Sequence, residues 1–215
     1  MGIVIDHEAR KRAIITKSIL LFAEQGYDHV TYQKIADKCR IARTTLYKYF
    51  PSKRKIFNTA IWEVSYLLID CFNEAHTSKA SALTRLERVM AAVFQLLFEH
   101  HHLLTVILDY VLAAHRQEED LSYYIRSHTI GLRRVIHSLI VEGIRTGELR
   151  KLDAKLATDL VYTQLESAIL RITVSRNADR DQFISMFHLT AQALKAPPPS
   201  KNAARRTATP PEARP

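Results

Sequence analysis

The chain has 215 residues, 47% of them hydrophobic, long enough for a helical core but too short for more than one large or two small domains. Its two cysteines, Cys39 and Cys71, stand at no secretory or metal-like spacing and read as buried free thiols of a reducing compartment. No stretch has the form of a signal peptide or the length of a bilayer span, so a cytoplasmic protein without a membrane partner is expected.

The surplus positive charge is uneven. Residues 1–60 hold 12 Lys and Arg against 5 Asp and Glu, residues 61–195 hold 15 against 16, and residues 196–215 hold 4 against 1. A nearly neutral body between a basic head and a basic tail is expected if the head meets a polyanion.

Only five glycines occur, and no proline lies between Pro51 and Pro197. With no alternation of strand type and no repeat, the chain reads as all-α. A first helix spans about Glu8 to Gln25, with Ile15, Ile19 and Phe22 on one face and Gly26 as its C-terminal cap. Thr31 caps a second helix that turns Ile35 and Ala36 inward and ends near Cys39. A third, from Arg43 to Tyr49, stops before Pro51, because the residue preceding proline is pushed out of the α region. Ser52 caps a fourth helix expected to run unbroken past Trp62 to about Glu74. Further helices are placed at roughly 81–99, 103–116, 120–146, 153–175 and 179–195, with Ser81, Asp153 and Asp179 as caps and Gly147 as a stop. From Ala196 the composition becomes rich in Pro, Ala and Arg and is expected to stay disordered.

Three short helices, the second and third joined by a turn around Arg40 to Ala42, have the dimensions of a helix-turn-helix unit. Arg43, Thr44 and Lys48 project from the third helix opposite Leu46 and Phe50, so its N-terminal end can enter a major groove of double-stranded DNA. An arginine there can hold guanine in a bidentate contact, and a threonine methyl can touch thymine.

The stretch Leu21-Phe22-Ala23-Glu24-Gln25-Gly26-Tyr27-Asp28, followed by Val30-Thr31, Ile35-Ala36, Thr45-Leu46-Tyr47-Lys48-Tyr49-Phe50 and Ser52-Lys53, resembles the head of the TetR family of transcriptional regulators. The resemblance covers roughly residues 10–60. Two positions depart from the family's usual pattern: Arg40 stands where a glycine commonly makes the turn, and Ala42 replaces a capping Ser or Thr. The first costs about 1–2 kcal/mol if the backbone there is left-handed, the second about 1 kcal/mol. The resemblance implies a DNA-binding head over 1–52 and a helical ligand-binding and dimerisation body over 53–195, and the change of composition leaves a disordered basic tail over 196–215. It also implies that Thr31, Thr45, Tyr47, Lys48 and Lys53 contact phosphates, and that the last two helices pair with those of a second copy in a four-helix homodimer interface.

Apolar stripes on those two helices, Leu156, Leu160, Val161, Ala168 and Ile172 on one and Phe183, Met186, Phe187 and Leu194 on the other, are wide enough to serve both a core and an interface. Trp62, Tyr66, Phe94, Phe98, Tyr110, Tyr123, Tyr124 and Tyr162 would line an apolar effector pocket if they converge, with His128, Glu166 and Arg171 as groups that orient a ligand. His100, His101 and His102 point about 100° apart on a helix, which disfavours a shared metal and suggests a polar helix junction. Neither a metal nor another cofactor is expected. The leading expectation is a homodimeric repressor released from a palindromic operator by a small molecule. An architectural DNA-binding protein of the same fold, without an effector, is the alternative. An enzyme is not expected, since the chain has no phosphate loop, no His-Glu-x-x-His pair and no nucleophile elbow.

Overall fold

The computed structural model describes residues 6–118, 122–175 and 177–197, with side chains 122–128 left out. It contains ten helices among the described residues: α1 (His7–Gln25), α2 (Tyr32–Cys39), α3 (Arg43–Tyr49), α4 (Lys53–Tyr66), α5 (Ile69–Thr77), α6 (Ala82–Glu99), α7 (His101–Arg116), α8 (Ser122–Thr146), α9 (Ala154–Val174) and α10 (Arg180–Leu194). The caps sit where the sequence places them. Thr31, Ser52, Ser81, Asp153 and Asp179 each accept from backbone N–H groups in the first turn of their helices. Gly26 closes α1 at φ 81°, a backbone that an L side chain adopts only under strain, and its N–H donates to Phe22 O at 2.8 Å.

Buried side chains fall into two clusters. The first joins Ile14, Phe22, Ile35, Leu46, Phe50, Ile56 and Phe57 from α1–α4 with Leu103 and Val106 of α7. The second is built by α5, α6, α8, α9 and α10 around Met90, Phe94, Ile136, Ile140, Val161 and Phe187. The first half of α4 thus packs with the head, beyond the boundary expected at residue 52.

One expected helix is two. The ladder is interrupted after Tyr66, where Leu67 and Leu68 donate three residues back, to Val64 O and Ser65 O at 3.2 and 3.3 Å. No proline or glycine signals this. Two causes are visible: the Ser65 hydroxyl donates to Ile61 O at 2.8 Å, a bond that loosens helices, and the apolar stripe changes allegiance from the first cluster to the second.

Between α6 and α7 the chain bends by 82° at His100, so the three histidines occupy a helix junction. Arg85, 6% exposed, ties the body together: it donates to Ala75 O at 2.9 Å and forms an ion pair with Glu142, binding the end of α5 to α6 and α8. At Gly143 a Cβ would stand 2.7 Å from Leu149 Cγ, so the absent side chain lets Leu149 fold back under α8. The end of α10 is held by an antiparallel bridge between Leu149 and Lys195. Of the expected basic tail, residues 198–215 lie outside the described residues.

Candidate nucleic-acid interface

The turn between α2 and α3 is a Schellman arrangement. Arg40 takes the left-handed position at φ 57°, ψ 45°, its N–H donates to Asp37 O at 3.0 Å, and Ile41 N–H donates to Ala36 O at 3.1 Å. Arginine therefore occupies the glycine position, at a cost of about 1 kcal/mol or more. Ala42 starts α3 with no side-chain hydrogen bond, so one exposed N–H of the first turn lacks its usual acceptor.

Seven residues cannot hold a helix alone. Leu46 (0% exposed) and Phe50 (1%) seal one side of α3 into the first cluster, and Phe50 is held extended ahead of Pro51. Arg43, Thr44, Tyr47 and Lys48 are left on the solvent side, with Thr45 half-buried. Arg43 Nη2 donates to Tyr47 Oη at 3.1 Å, and Tyr47 stacks on Tyr32 of α2 with ring centroids 4.5 Å apart. The Tyr32 hydroxyl in turn donates to Phe50 O, at the end of α3. Burial, then the neighbouring Tyr47, pushes the Tyr32 pKa up to about 12, so the phenol keeps its proton. Tyr32 thereby fixes the reading helix from the helix before it. The sequence carries no signal for this, because Tyr32 looks like an ordinary first-turn residue after a cap.

Thr31 is exposed and accepts from Lys34 N at 3.3 Å. Lys53 is placed differently from the expectation of a phosphate contact. Its Nζ donates to Tyr27 O at 2.8 Å and to Asp28 O and Val30 O at 3.3 Å, and lies 4.5 Å from the Tyr27 ring centre. All three ammonium donors are engaged within the α1–α2 loop, and desolvation lowers its pKa against the pull of Asp28. Lys53 clamps the loop.

The loop also meets the body. Asp109 Oδ2 on α7 accepts from Tyr27 N at 3.3 Å, and the Tyr27 ring packs against Phe22, Phe57 and Tyr110 at 5.1–5.6 Å. Burial, then Tyr110, pushes the Tyr27 pKa up to about 12.

Among the described residues, the aromatic side chains expected to converge on one pocket do not. Phe94 is buried in the second cluster with Phe98 and Tyr162 at its margin, Tyr110 borders the first cluster, and Glu166 is exposed. Arg171 lies over the Phe183 ring and donates to Gln182. The side chains of Tyr123, Tyr124 and His128 lie outside the described residues. Among the described members of the set, Trp62 and Tyr66 share the wall of a cavity of about 660 Å³ between α1, α4 and the α6–α7 bend.

The expected interface residues also need correction. Ala168, Phe183, Phe187 and Leu194 are buried in the chain's own core and Ile172 is half-buried, because α6 and α8 cover that side of α9 and α10. Val161 is buried as well, so of the nine stripe residues Leu156, Leu160 and Met186 remain exposed. The uncovered stripe runs at alternating steps of four and three residues through Leu156, Leu160, Thr163, Ser167, Leu170 and Val174 on α9. It continues through Gln182, Met186, Leu189 and Ala193 on α10.

Comparison with known proteins agrees with this architecture. Residues 14–60 match the family model described as bacterial regulatory proteins, tetR family, and residues 64–179, more than half the chain, match the C-terminal region of YsiA-like proteins. The fatty acid metabolism regulator protein of Bacillus subtilis is 27% identical over 157 residues, 73% of this chain and 79% of the relative. The HTH-type transcriptional repressor KstR2 of Mycobacterium tuberculosis is 28% identical over 155 residues, 72% and 74% of the two chains. The crystal structure of the transcriptional regulator FadR from Bacillus subtilis in complex with stearoyl-CoA superposes with a TM-score of 0.68 at 25% identity, covering 86% of this chain and 97% of that one. With a sealed three-helix head, a recognition helix facing solvent and both family models matched in order, the chain belongs to the TetR family of DNA-binding bacterial regulators.

Proposed function

We propose that this chain is a cytoplasmic homodimeric repressor, without enzymatic activity, that is released from a palindromic operator by a small, predominantly apolar molecule. The carrying observation is α3: Arg43, Thr44, Tyr47 and Lys48 face solvent while Leu46 and Phe50 fix the helix from behind. Arg43 reads a base edge, Thr44 touches a thymine methyl, and Thr31, Thr45, Tyr47 and Lys48 position the head on phosphates.

Support for the dimer comes from the uncovered stripe of α9 and α10, where Leu156, Leu170, Val174 and Leu189 are each more than half exposed. A stripe of this kind matches a self-complementary four-helix seam. Two heads would meet half-sites roughly 34–36 Å apart. The apolar effector is supported by the relative named for fatty acid metabolism and by the similar FadR, whose structure holds stearoyl-CoA.

The test is fluorescence anisotropy with DNA from upstream of the chain's own coding region, at about 100 mM salt, against scrambled duplexes. Affinity for one palindromic site about 10³-fold or more above the scrambled background is expected. A ratio near unity would replace this reading by an architectural role.

A further inference from the structure

A cavity opens beside α4. At about 660 Å³ it has the size of a small-molecule site, and its apolar wall includes Ile15, Ile19, Ala60 and Leu103. The same four side chains belong to the buried cluster of the head. At its mouth Trp62, Tyr66 and Leu67 stand 56%, 69% and 59% exposed within one turn and a half of α4, an apolar surface that the chain itself leaves uncovered.

The polar groups at the rim are mixed. Arg12, Glu63, Glu99, His100 and His102 are among the residues that line the cavity. Burial, then His101, lowers the His102 pKa against the pull of Glu24, which leaves that ring neutral at pH 7. Two carboxylates against one guanidinium disfavour an anion, and a cation would have to shed its water against a wall that is mostly apolar. An uncharged ligand with a hydrogen-bonding end avoids both penalties.

The location joins this cavity to the DNA-reading head. One wall is α1, which leads through Gly26 to Tyr27; the opposite wall is the bend that starts α7, which carries the Asp109 and Tyr110 contacts to Tyr27. A ligand that separates these walls acts on the joint that sets the head against the body, provided it binds the two arrangements unequally.

From this geometry we propose, resting on the repressor reading above, that the seam between α1, α4 and the α6–α7 bend is the effector site and takes an uncharged, predominantly apolar molecule. Trp62, the chain's single tryptophan, reports on it directly. The full-length protein is titrated with the neutral fluorophore N-phenyl-1-naphthylamine and, separately, with 1-anilinonaphthalene-8-sulfonate, which adds one sulfonate to the same rings. The neutral probe is expected to quench or blue-shift Trp62 and to bind about tenfold more tightly than the sulfonate, a gap of about 1.4 kcal/mol.

Thr16→Phe, which fills the groove from an exposed position of α1, and Tyr66→Ser, which removes part of the mouth, should each weaken neutral-probe binding about tenfold. Operator affinity without probe checks that both variants are folded. The neutral probe should lower operator affinity of the parent and leave that of Thr16→Phe unchanged. Probe emission is followed alongside that of Trp62, and either absent binding or binding without a Trp62 response overturns the site. Tighter binding of the sulfonate, or a Thr16→Phe variant that binds as the parent does, also overturns it. Loss of sequence-selective DNA binding in the probe-free parent is a separate outcome: it refutes the repressor reading while the Trp62 titration still decides the cavity.

Discussion

Among the described residues, two of the surfaces that the fold leaves uncovered, on α3 and on the α9–α10 pair, are opposites. On α3 the exposed residues are Arg43, Thr44, Tyr47 and Lys48, mounted on a side chain buried to 0% exposure. On α9 and α10 the exposed residues are Leu156, Leu160, Leu170, Val174, Met186 and Leu189. The first surface can stay in water until DNA replaces the water. The second loses free energy for as long as it stays wet, at roughly 25 cal/mol for each Å² of apolar area. A short polar helix therefore depends on its buried anchor, whereas the long apolar pair, in the proposed dimer, depends on a second copy.

That contrast can be broken from either side. The largest effect is expected from Leu189→Glu, which sets an unpaired carboxylate in an apolar seam once per copy, at several kcal/mol each. Sedimentation should find monomer at micromolar concentration, with α3 intact and operator affinity reduced through lost bivalency; a stable dimer would place the seam elsewhere. Next, Leu46→Ala should cost about 2–5 kcal/mol, because a fully buried leucine is removed. Thermal unfolding followed by circular dichroism should fall accordingly, with DNA binding lost and dimerisation kept.

Arg43→Ala should cost about 1–3 kcal/mol at one or two base pairs, whereas Lys48→Ala should weaken all sequences alike and reduce the salt slope by about 1. Identical behaviour of the two would abolish the division between reading and positioning. Lys53→Met sharpens the point further. Three loop carbonyls lose their donor, so about 1–2 kcal/mol of stability should disappear while the salt slope stays put; a reduced slope would restore Lys53 to the phosphate contacts. The smallest effect is a gain. Arg40→Gly relieves the left-handed position and Ala42→Ser supplies the missing cap, each adding about 1 kcal/mol to the head in a urea titration.

The head was legible from the sequence because its information is local. Thr31, Ser52 and Gly26 act on backbone groups within four residues of themselves, and Leu46 and Phe50 follow from helical periodicity. Even the misfit at Arg40 could be read, since a left-handed turn is a property of single residues. Lys53 was misplaced because its partners, the carbonyls of residues 27, 28 and 30, lie more than twenty positions away. Tyr32 was missed for a similar reason, its anchor being the Phe50 carbonyl.

Periodicity marks which residues are apolar and which share a face; with the capping residues and the charge distribution it determined nine helix spans, one of which the structure divides into α4 and α5, together with the basic head and the helix proposed to meet DNA. It cannot say which of two apolar faces the rest of the chain will cover. Phe183 and Met186 read alike along α10, yet one is 2% exposed and the other 41%. Only the packing of α6 and α9 against α10 decided between them, just as only the bend at His100 brought α1, α4 and α7 around a common cavity, because both outcomes depend on contacts between segments far apart in the chain.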